Sequence, residues 1–284
     1  MLWQSILGNS IPSKPERRNE LVALPLPITA LFEDIANSKN GVIMTMGKGG
    51  VGKTSIATAL AVHLAHSGNQ VLLATTDPAA HLDFSLMKHM ENLVVERIDP
   101  KEETRRYSAK VMEQAGATLD EQGKKLLEED LRSPCTEEIA VFQAFAALVD
   151  QGKDRFIVLD TAPTGHTLLL LDAARAYHRE VERTTQELPE AVQCLLPRMR
   201  DPEYTRVLVL TLPELTPITE AMQLEKDLHR AGITPYGWII NQCLAPLNIS
   251  DPLLLAKQQE EIPHIERLLK THGDRVFISP WQVS

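Results

Sequence analysis

Cysteine, basic side chains and long apolar runs are all in short supply in this 284-residue chain, and each scarcity excludes something. The three cysteines, Cys135, Cys194 and Cys243, form no CxxC pair and leave an odd number, so reduced thiols are expected rather than a disulfide framework. Free thiols are then available as ligands. The longest apolar stretches, such as Leu168 to Leu171 and Val207 to Leu212, fall far short of the ~20 residues that a bilayer-spanning helix needs. Direct membrane insertion is therefore not expected, and a membrane role would run through a partner. The N-terminus lacks an apolar h-region and a cleavage site, which points to the cytoplasm. Basic residues are outnumbered as well: 29 Lys and Arg against 38 Asp and Glu give a formal net charge of −9. Neutralising a nucleic-acid backbone needs clustered Lys and Arg, so no nucleic-acid partner is expected, and the short pair Arg17, Arg18 reads as a solvated linker.

What is present is ordinary for a globular protein, with 43% hydrophobic and 24% charged residues, and the length suits one α/β domain with a modest insertion. Residues 1 to 40 carry Pro12, Pro15, Pro25 and Pro27, show no sustained period, and read as a tail or linker leading into a short helix near Ile28 to Ala36. The folded body is expected over 41–284. It opens on the apolar run Gly41 to Met46, followed by a glycine-rich loop and a helical pattern from Thr54 to His66 that stops at Gly68. Further short apolar strands are expected at Val71 to Thr75, Phe156 to Leu159, Val207 to Leu212, Trp238 to Ile240 and Val276 to Ser279. Strands alternating with helices predict an α/β fold with a doubly wound, mostly parallel sheet and helices on both faces. Any ligand should lie at the carboxyl ends of the strands. Strand signals stop between Pro100 and Gly152, where charged stretches such as Glu121 to Leu131 lead into the amphipathic Glu137 to Val149. A second helical patch covers about 177–200. Both read as helical insertions at one edge of the sheet.

Gly47-Lys-Gly-Gly-Val-Gly-Lys-Thr54 fits G-x-x-x-x-G-K-[ST] and stands where that pattern works, after a strand and opening a helix. Successive N–H groups from Gly47, Gly49, Gly50, Val51, Gly52 and Ser55 are expected to cradle phosphate, with the helix N-terminus favouring the anion. Lys53 should reach the β and γ oxygens of ATP, and Thr54 should ligate Mg2+. Two acidic turns follow apolar strands: Thr76-Asp77-Pro78-Ala79-Ala80-His81, and Asp160-Thr-Ala-Pro-Thr-Gly-His-Thr167. Both carboxylates are placed to serve a metal or a water.

Lys48 is a second cation inside the loop, where a phosphate loop usually needs none. With it, GKGGVGKT resembles the deviant Walker-A loop shared by positioning ATPases, nitrogenase iron proteins, and the arsenite-pump and tail-anchored-protein targeting ATPases. The resemblance implies a P-loop NTPase working as a nucleotide-gated dimer, in which Lys48 reaches a partner's nucleotide and stabilises charge on the departing phosphoryl group. It implies that Asp77 positions the attacking water and serves Mg2+, and that Asp160 senses the γ-phosphate and holds the metal through water. Pro213-Glu214-Leu215, with Glu220 downstream, resembles the adenine-side loop. Asn241, followed by Gln242, resembles the adenine-reading asparagine.

The segment DTAPTGHT narrows the likeness to the arsenite-pump ATPases (the ArsA family) and their targeting relatives. Leu131 to Phe142 and Asp172 to Glu180 look like the C-terminal half of the two-halved arsenite-pump ATPase, a likeness running from about Leu21 to Pro280. It implies metalloid ligands at Cys135, His166 and Ser133, with Cys194 a further candidate if a second copy completes the site. The local chemistry agrees. Ser133 is a plausible N-cap and Pro134 a first helical residue, so Cys135 falls in a first helical turn, where thiolate, the ligand for soft As(III) or Sb(III), is favoured. His166, at another helix start, keeps a ring nitrogen free to coordinate.

The implied function is ATP hydrolysis coupled to As(III) or Sb(III) binding and delivery to a membrane arsenite efflux pump, with a metallochaperone as a further partner. The location would be peripheral to the inner face of the membrane. The alternative is a targeting factor for hydrophobic tail-anchored segments, which would want a Met-rich groove and a CxxC zinc clasp; Met112 stands alone in the insertion and no CxxC exists. The start resembles the linker between halves, and the end falls where the family continues with an adenine-contacting turn. A separated half, a fragment and an independent homodimer remain open.

Overall fold

The computed structural model describes residues 24–75, 90–161 and 189–282. Its eight described strands form one sheet in which every pair is parallel: β1 (Leu26–Pro27), β2 (Gly41–Met46), β3 (Val71–Thr75), β4 (Leu93–Arg97), β5 (Phe156–Asp160), β6 (Thr205–Thr211), β7 (Gly237–Cys243) and β8 (Val276–Pro280). The order across the sheet is β1-β8-β7-β6-β2-β5-β3-β4. Central β2 has β5, β3 and β4 on one side and β6, β7, β8 and β1 on the other, so the crossovers diverge around it and the switch point where such folds open a crevice lies at its carboxyl end.

The apolar runs of the sequence are near-continuous because these strands are covered on both faces. In β2, Val42, Met44 and Met46 join one core while Ile43 joins the other. Helices α1 (Ile28–Ala36) and α2 (Lys53–His66) pack on the Ile43 side, through Leu31, Phe32 and Ile35, and through Ile56, Leu60 and Leu64. On the Val42 side lie α5 (Pro134–Asp150), α6 (Glu190–Arg200), α7 (Leu215–Arg230) and α8 (Pro252–His272). Trp238 of β7 is the largest fully buried side chain there.

Three differences from the sequence reading have physical causes. Among the described residues, packing begins before residue 41: β1 pairs with β8, and α1 buries Leu31 and Ile35 completely. Only two residues of β1 enter the ladder, too few for a strand pattern. β4 was not expected either; it is an edge strand whose Val94 is 43% exposed, so it lacks the apolar run of a central strand. Finally, the region from 100 to 152 divides into two kinds of helix. Helices α3 (Pro100–Gln114) and α4 (Glu121–Asp130) bury no residue completely and carry carboxylates in their first turns, with Asp99 and Asp120 as N-caps. By contrast α5 inserts Phe142, Phe145, Ala146 and Val149 into the core. Among the described residues, no helix is long and apolar enough to cross a membrane.

Candidate nucleotide site

The loop from Gly47 to Thr54 leaves β2 at the switch point and enters α2, whose N-cap Gly52 has φ 89. Glycine is required there twice over. The positive φ is strained for any other residue, and a Cβ would meet the Asn241 amide nitrogen at 2.2 Å. Gly47 is equally confined, since its Cβ would lie 2.5 Å from the Leu210 carbonyl oxygen. Gly49 and Gly50 form the exposed tip and Val51 is buried beneath it. The first turn of α2 holds no acidic residue, so nothing opposes an anion at the positive end of its dipole, beside which Ser55 is exposed. Lys53 is 6% exposed, and its ammonium donates to the Lys48 carbonyl at 3.0 Å, closing the loop on itself.

Thr54 and Asp160 meet at the base of the loop, with Thr54 Oγ1 donating to Asp160 Oδ2 at 2.7 Å. Asp160 ends β5, the neighbour of β2, and is fully buried. Thr75, at the end of β3, adds a second hydroxyl donor to the same oxygen at 3.2 Å. Thr161 donates to the Thr45 carbonyl at 2.7 Å, tying the ends of β2 and β5 together. The ends of β3 and β5 and the first turn of α2 thus deliver hydroxyls and one carboxylate to a single edge. These are hard oxygen donors, and they fit Mg2+.

Asn241, at the end of β7, is 7% exposed and donates its amide to the Val51 carbonyl at 3.0 Å. Its amide therefore supports the phosphate loop. Beside it opens a cavity of about 370 Å³ lined by Leu212, Pro213, Glu214, Gln242, Glu261 and Trp281, among others. Pro213 and Asn241, expected on the base side, thus lie respectively on the cavity wall and between the cavity and the loop. Gln242 has φ 56, the only left-handed non-glycine among the described residues. It sits where the β7–β8 ladder shifts register between Ile240 and Cys243.

Lys48 faces the other way. Its ammonium lies 2.8 Å from Glu220 Oε1 in α7, and the two side chains are 43% and 44% exposed. Two lysines in one short loop thus have opposite settings, one buried in the cradle and one on the rim.

The metalloid candidates are spread out. Ser133 caps α5 in extended conformation and Pro134 is its first residue, so Cys135 stands exposed in the first turn. The Ser133 hydroxyl makes no cap bond and instead lies 3.2 Å from Thr136 Oγ1. Because α5 and α6 each lead by a short turn into the parallel strands β5 and β6, the two helices run parallel, in register where Asp150 pairs with Arg198. At 1.5 Å per residue, that register puts Cys135 and Cys194 about 16 Å apart along the axes. Cys194 is therefore not brought to Cys135 within one chain. Cys243 is buried and donates to the Ile240 carbonyl, and burial pushes its thiol far above the ordinary range, as suits a core residue. Asp77 and His166 lie outside the described residues. Among the described residues, no cluster of three or more His, Cys, Asp or Glu side chains could hold a metal ion.

Comparison with known proteins decides the family. The chain matches the anion-transporting ATPase family over residues 40–195, more than half its length. It belongs to that family. The arsenical pump-driving ATPase of Escherichia coli is 52% identical over 269 residues, covering 95% of this chain and 46% of that protein. The arsenical pump-driving ATPase of Acidiphilium multivorum is 52% identical over 270 residues, covering 91% and 46%. The ATPase GET3C of Arabidopsis thaliana is 27% identical over 323 residues, covering 93% and 82%. The chain spans about half the length of the two bacterial arsenical pump-driving ATPases. Within this anion-transporting ATPase family, the phosphate loop and Asp160 both fall inside the matched span.

Three contributors, Thr75, Thr161 and Glu261, escaped the sequence reading as site residues. Thr75 and Thr161 were legible only as polar residues ending apolar strands, a signal that could have been used. Glu261 gave none, because its partner Leu244 is 17 residues away; Glu220 was read only beside the adenine-side loop, and its pairing with Lys48, 172 residues away, left no local signal.

Proposed function

We propose that this chain hydrolyses Mg-ATP as one member of a paired ATPase, and that hydrolysis is coupled to As(III) or Sb(III) bound near the nucleotide edge and handed to a membrane efflux pump. The observation that carries the ATPase reading is the 2.7 Å contact of Thr54 with Asp160 at the switch point of a parallel sheet. The triphosphate lies along Gly47 to Ser55, and the base enters the cavity beside Pro213 and Gln242. Mg2+ neutralises charge on the β and γ oxygens when bound; Thr54 would hold it directly, with Asp160 behind. Lys53 leaves the Lys48 carbonyl for the phosphate oxygens. Asp77, which follows β3 in sequence, orients the attacking water and accepts its proton. Lys48 acts on the nucleotide of a second copy or of a homologous half, where it stabilises charge as the γ-phosphoryl group departs.

The metalloid part rests on two supports: the names of the bacterial relatives, and the place of Cys135. Helix α5 immediately precedes β5 in the chain, and the exposure of Cys135 in its first turn supports a ligand role facing the carboxyl end of the sheet, the end at which Asp160 stands. His166 is close to Asp160 in sequence, so ligation there pulls on the segment that follows a nucleotide-sensing carboxylate. The test is ATP turnover with and without antimonite, for the parent and for Cys135→Ser. Stimulation in the parent that disappears in the variant is the expected result. A nucleotide-competent assembly that antimonite leaves unchanged overturns the coupling and favours delivery of a hydrophobic protein segment instead.

A further inference from the structure

The cavity beside the phosphate loop has one wall held in large part by side chains of a neighbouring helix. The chain leaves β7 through Gln242, in left-handed conformation, and continues as the loop from Leu244 to Leu247. A non-glycine residue stays in that conformation only where its surroundings over-determine it. Here the Trp281 N–H on the Cys243 carbonyl and the turn bond from the Leu247 N–H to the Leu244 carbonyl, each 2.9 Å, are joined by two side chains of α8. Glu261 is 3% exposed, and its Oε2 accepts the N–H of Leu244 at 2.8 Å and that of Ala245 at 3.0 Å. Gln258, one turn earlier, donates its amide to the carbonyls of Leu244 at 2.7 Å and Leu247 at 2.9 Å. Together they satisfy donors and acceptors of a loop that has no strand partner of its own. A carboxyl in a helix normally faces water, because burial penalises its charge. Burial does push this one above the usual carboxyl range, against the pull of the two N–H donors.

We propose that Glu261 is a positioning residue for nucleotide-base recognition, holding the end of β7 and the following loop in the shape that walls the base cavity. The proposal rests on the reading of that cavity as the base site. Its specific content is a division of labour within β7. Asn241 supports the phosphate loop through Val51, while Glu261 and Gln258 shape the stretch after it, which touches only the base side. Loss of the clamp should therefore weaken what the base contributes and spare what the phosphates contribute.

The experiment compares binding of Mg-ATP with binding of Mg-tripolyphosphate, which has the phosphates and no base, in the full chain. Glu261→Ala should weaken ATP at least tenfold and leave tripolyphosphate within about twofold. Glu261→Gln should restore ATP binding, since an amide oxygen has two lone pairs for the same two N–H groups. Gln258→Leu, which buries no charge, serves as the second variant should Glu261→Ala fold poorly, and should show the same split. Equal losses for both ligands, or no loss for either, overturn the proposal. A parent protein that binds ATP no tighter than tripolyphosphate overturns the base reading itself, and the clamp falls with it.

Discussion

Lys48 and Glu220 form an ion pair at 2.8 Å within one chain, across the mouth of the phosphate loop. A lysine whose proposed target is a partner's nucleotide is thus occupied by a carboxylate of its own α7. An exposed pair of this kind contributes roughly 0.2–1 kcal/mol, so it biases the lysine without locking it. Glu220→Ala should raise ATP turnover by up to about fivefold at protein concentrations that limit pairing, the factor corresponding to ~1 kcal/mol. Lys48→Ala should abolish turnover and leave nucleotide binding within about twofold. Turnover that survives the loss of Lys48 would remove the case for partner-gated hydrolysis.

Asn241 makes a prediction of the opposite kind from Glu261. Its buried amide holds the Val51 carbonyl at 3.0 Å, and removing it leaves that acceptor unpaired, a cost of about 1–3 kcal/mol. Asn241→Ala should weaken Mg-ATP and Mg-tripolyphosphate by similar factors, as titration calorimetry can measure. Selective loss of ATP alone would show that the side chain reads the base instead.

How much of this could be read in advance depends on how local each interaction is. The central strands were legible because burial on both faces imposes unbroken apolar runs, as in Phe156 to Leu159. The edge strand β4 was not, because half its side chains face water. Gly52 and Thr54 were legible because a phosphate cradle needs a fixed spacing along the chain. The Lys48–Glu220 pair and the Glu261 clamp depend on elements that meet only in the folded sheet. Within Glu260-Glu261-Ile262-Pro263, nothing in the sequence distinguishes the buried carboxyl from its solvated neighbour.

A pH dependence of stability follows from His272. Its ring stacks on Trp238 with centroids 4.5 Å apart, and Nδ1 lies 3.5 Å from Glu225 Oε1. Nε2 is buried without a partner. A proton added there places an N–H in the core with no acceptor, and burial holds the imidazole below the ordinary 6.5, against the opposing pull of Glu225 and with a further lowering from His229. The unfolded chain then binds that proton more readily than the native one. Stability from this group is fully present above 6.5 and is lost as pH falls from there through the lower native value. Melting temperature should therefore drop between pH 7 and 5.5 more steeply in the parent than in His272→Gln. Parallel profiles would show that His272 is not responsible.

The two cysteines on neighbouring helices can be told apart by their height along the sheet. Cys135 lies in the first turn of α5, whereas Cys194 lies one turn before Arg198, which pairs with the C-terminal end of α5 at Asp150. At about 16 Å apart they cannot share an ion, because bonds to a soft metalloid centre span only about 2.3 Å each by analogy with zinc thiolates. Cys194→Ser should therefore keep antimonite stimulation within about twofold, while Cys135→Ser loses it. The discriminating measurement is the antimonite concentration for half-maximal stimulation in each variant, at matched protein concentration. An equal rise for both would mean that a second copy brings its Cys194 to the Cys135 edge, and the separation within one chain would then be what makes the site depend on pairing.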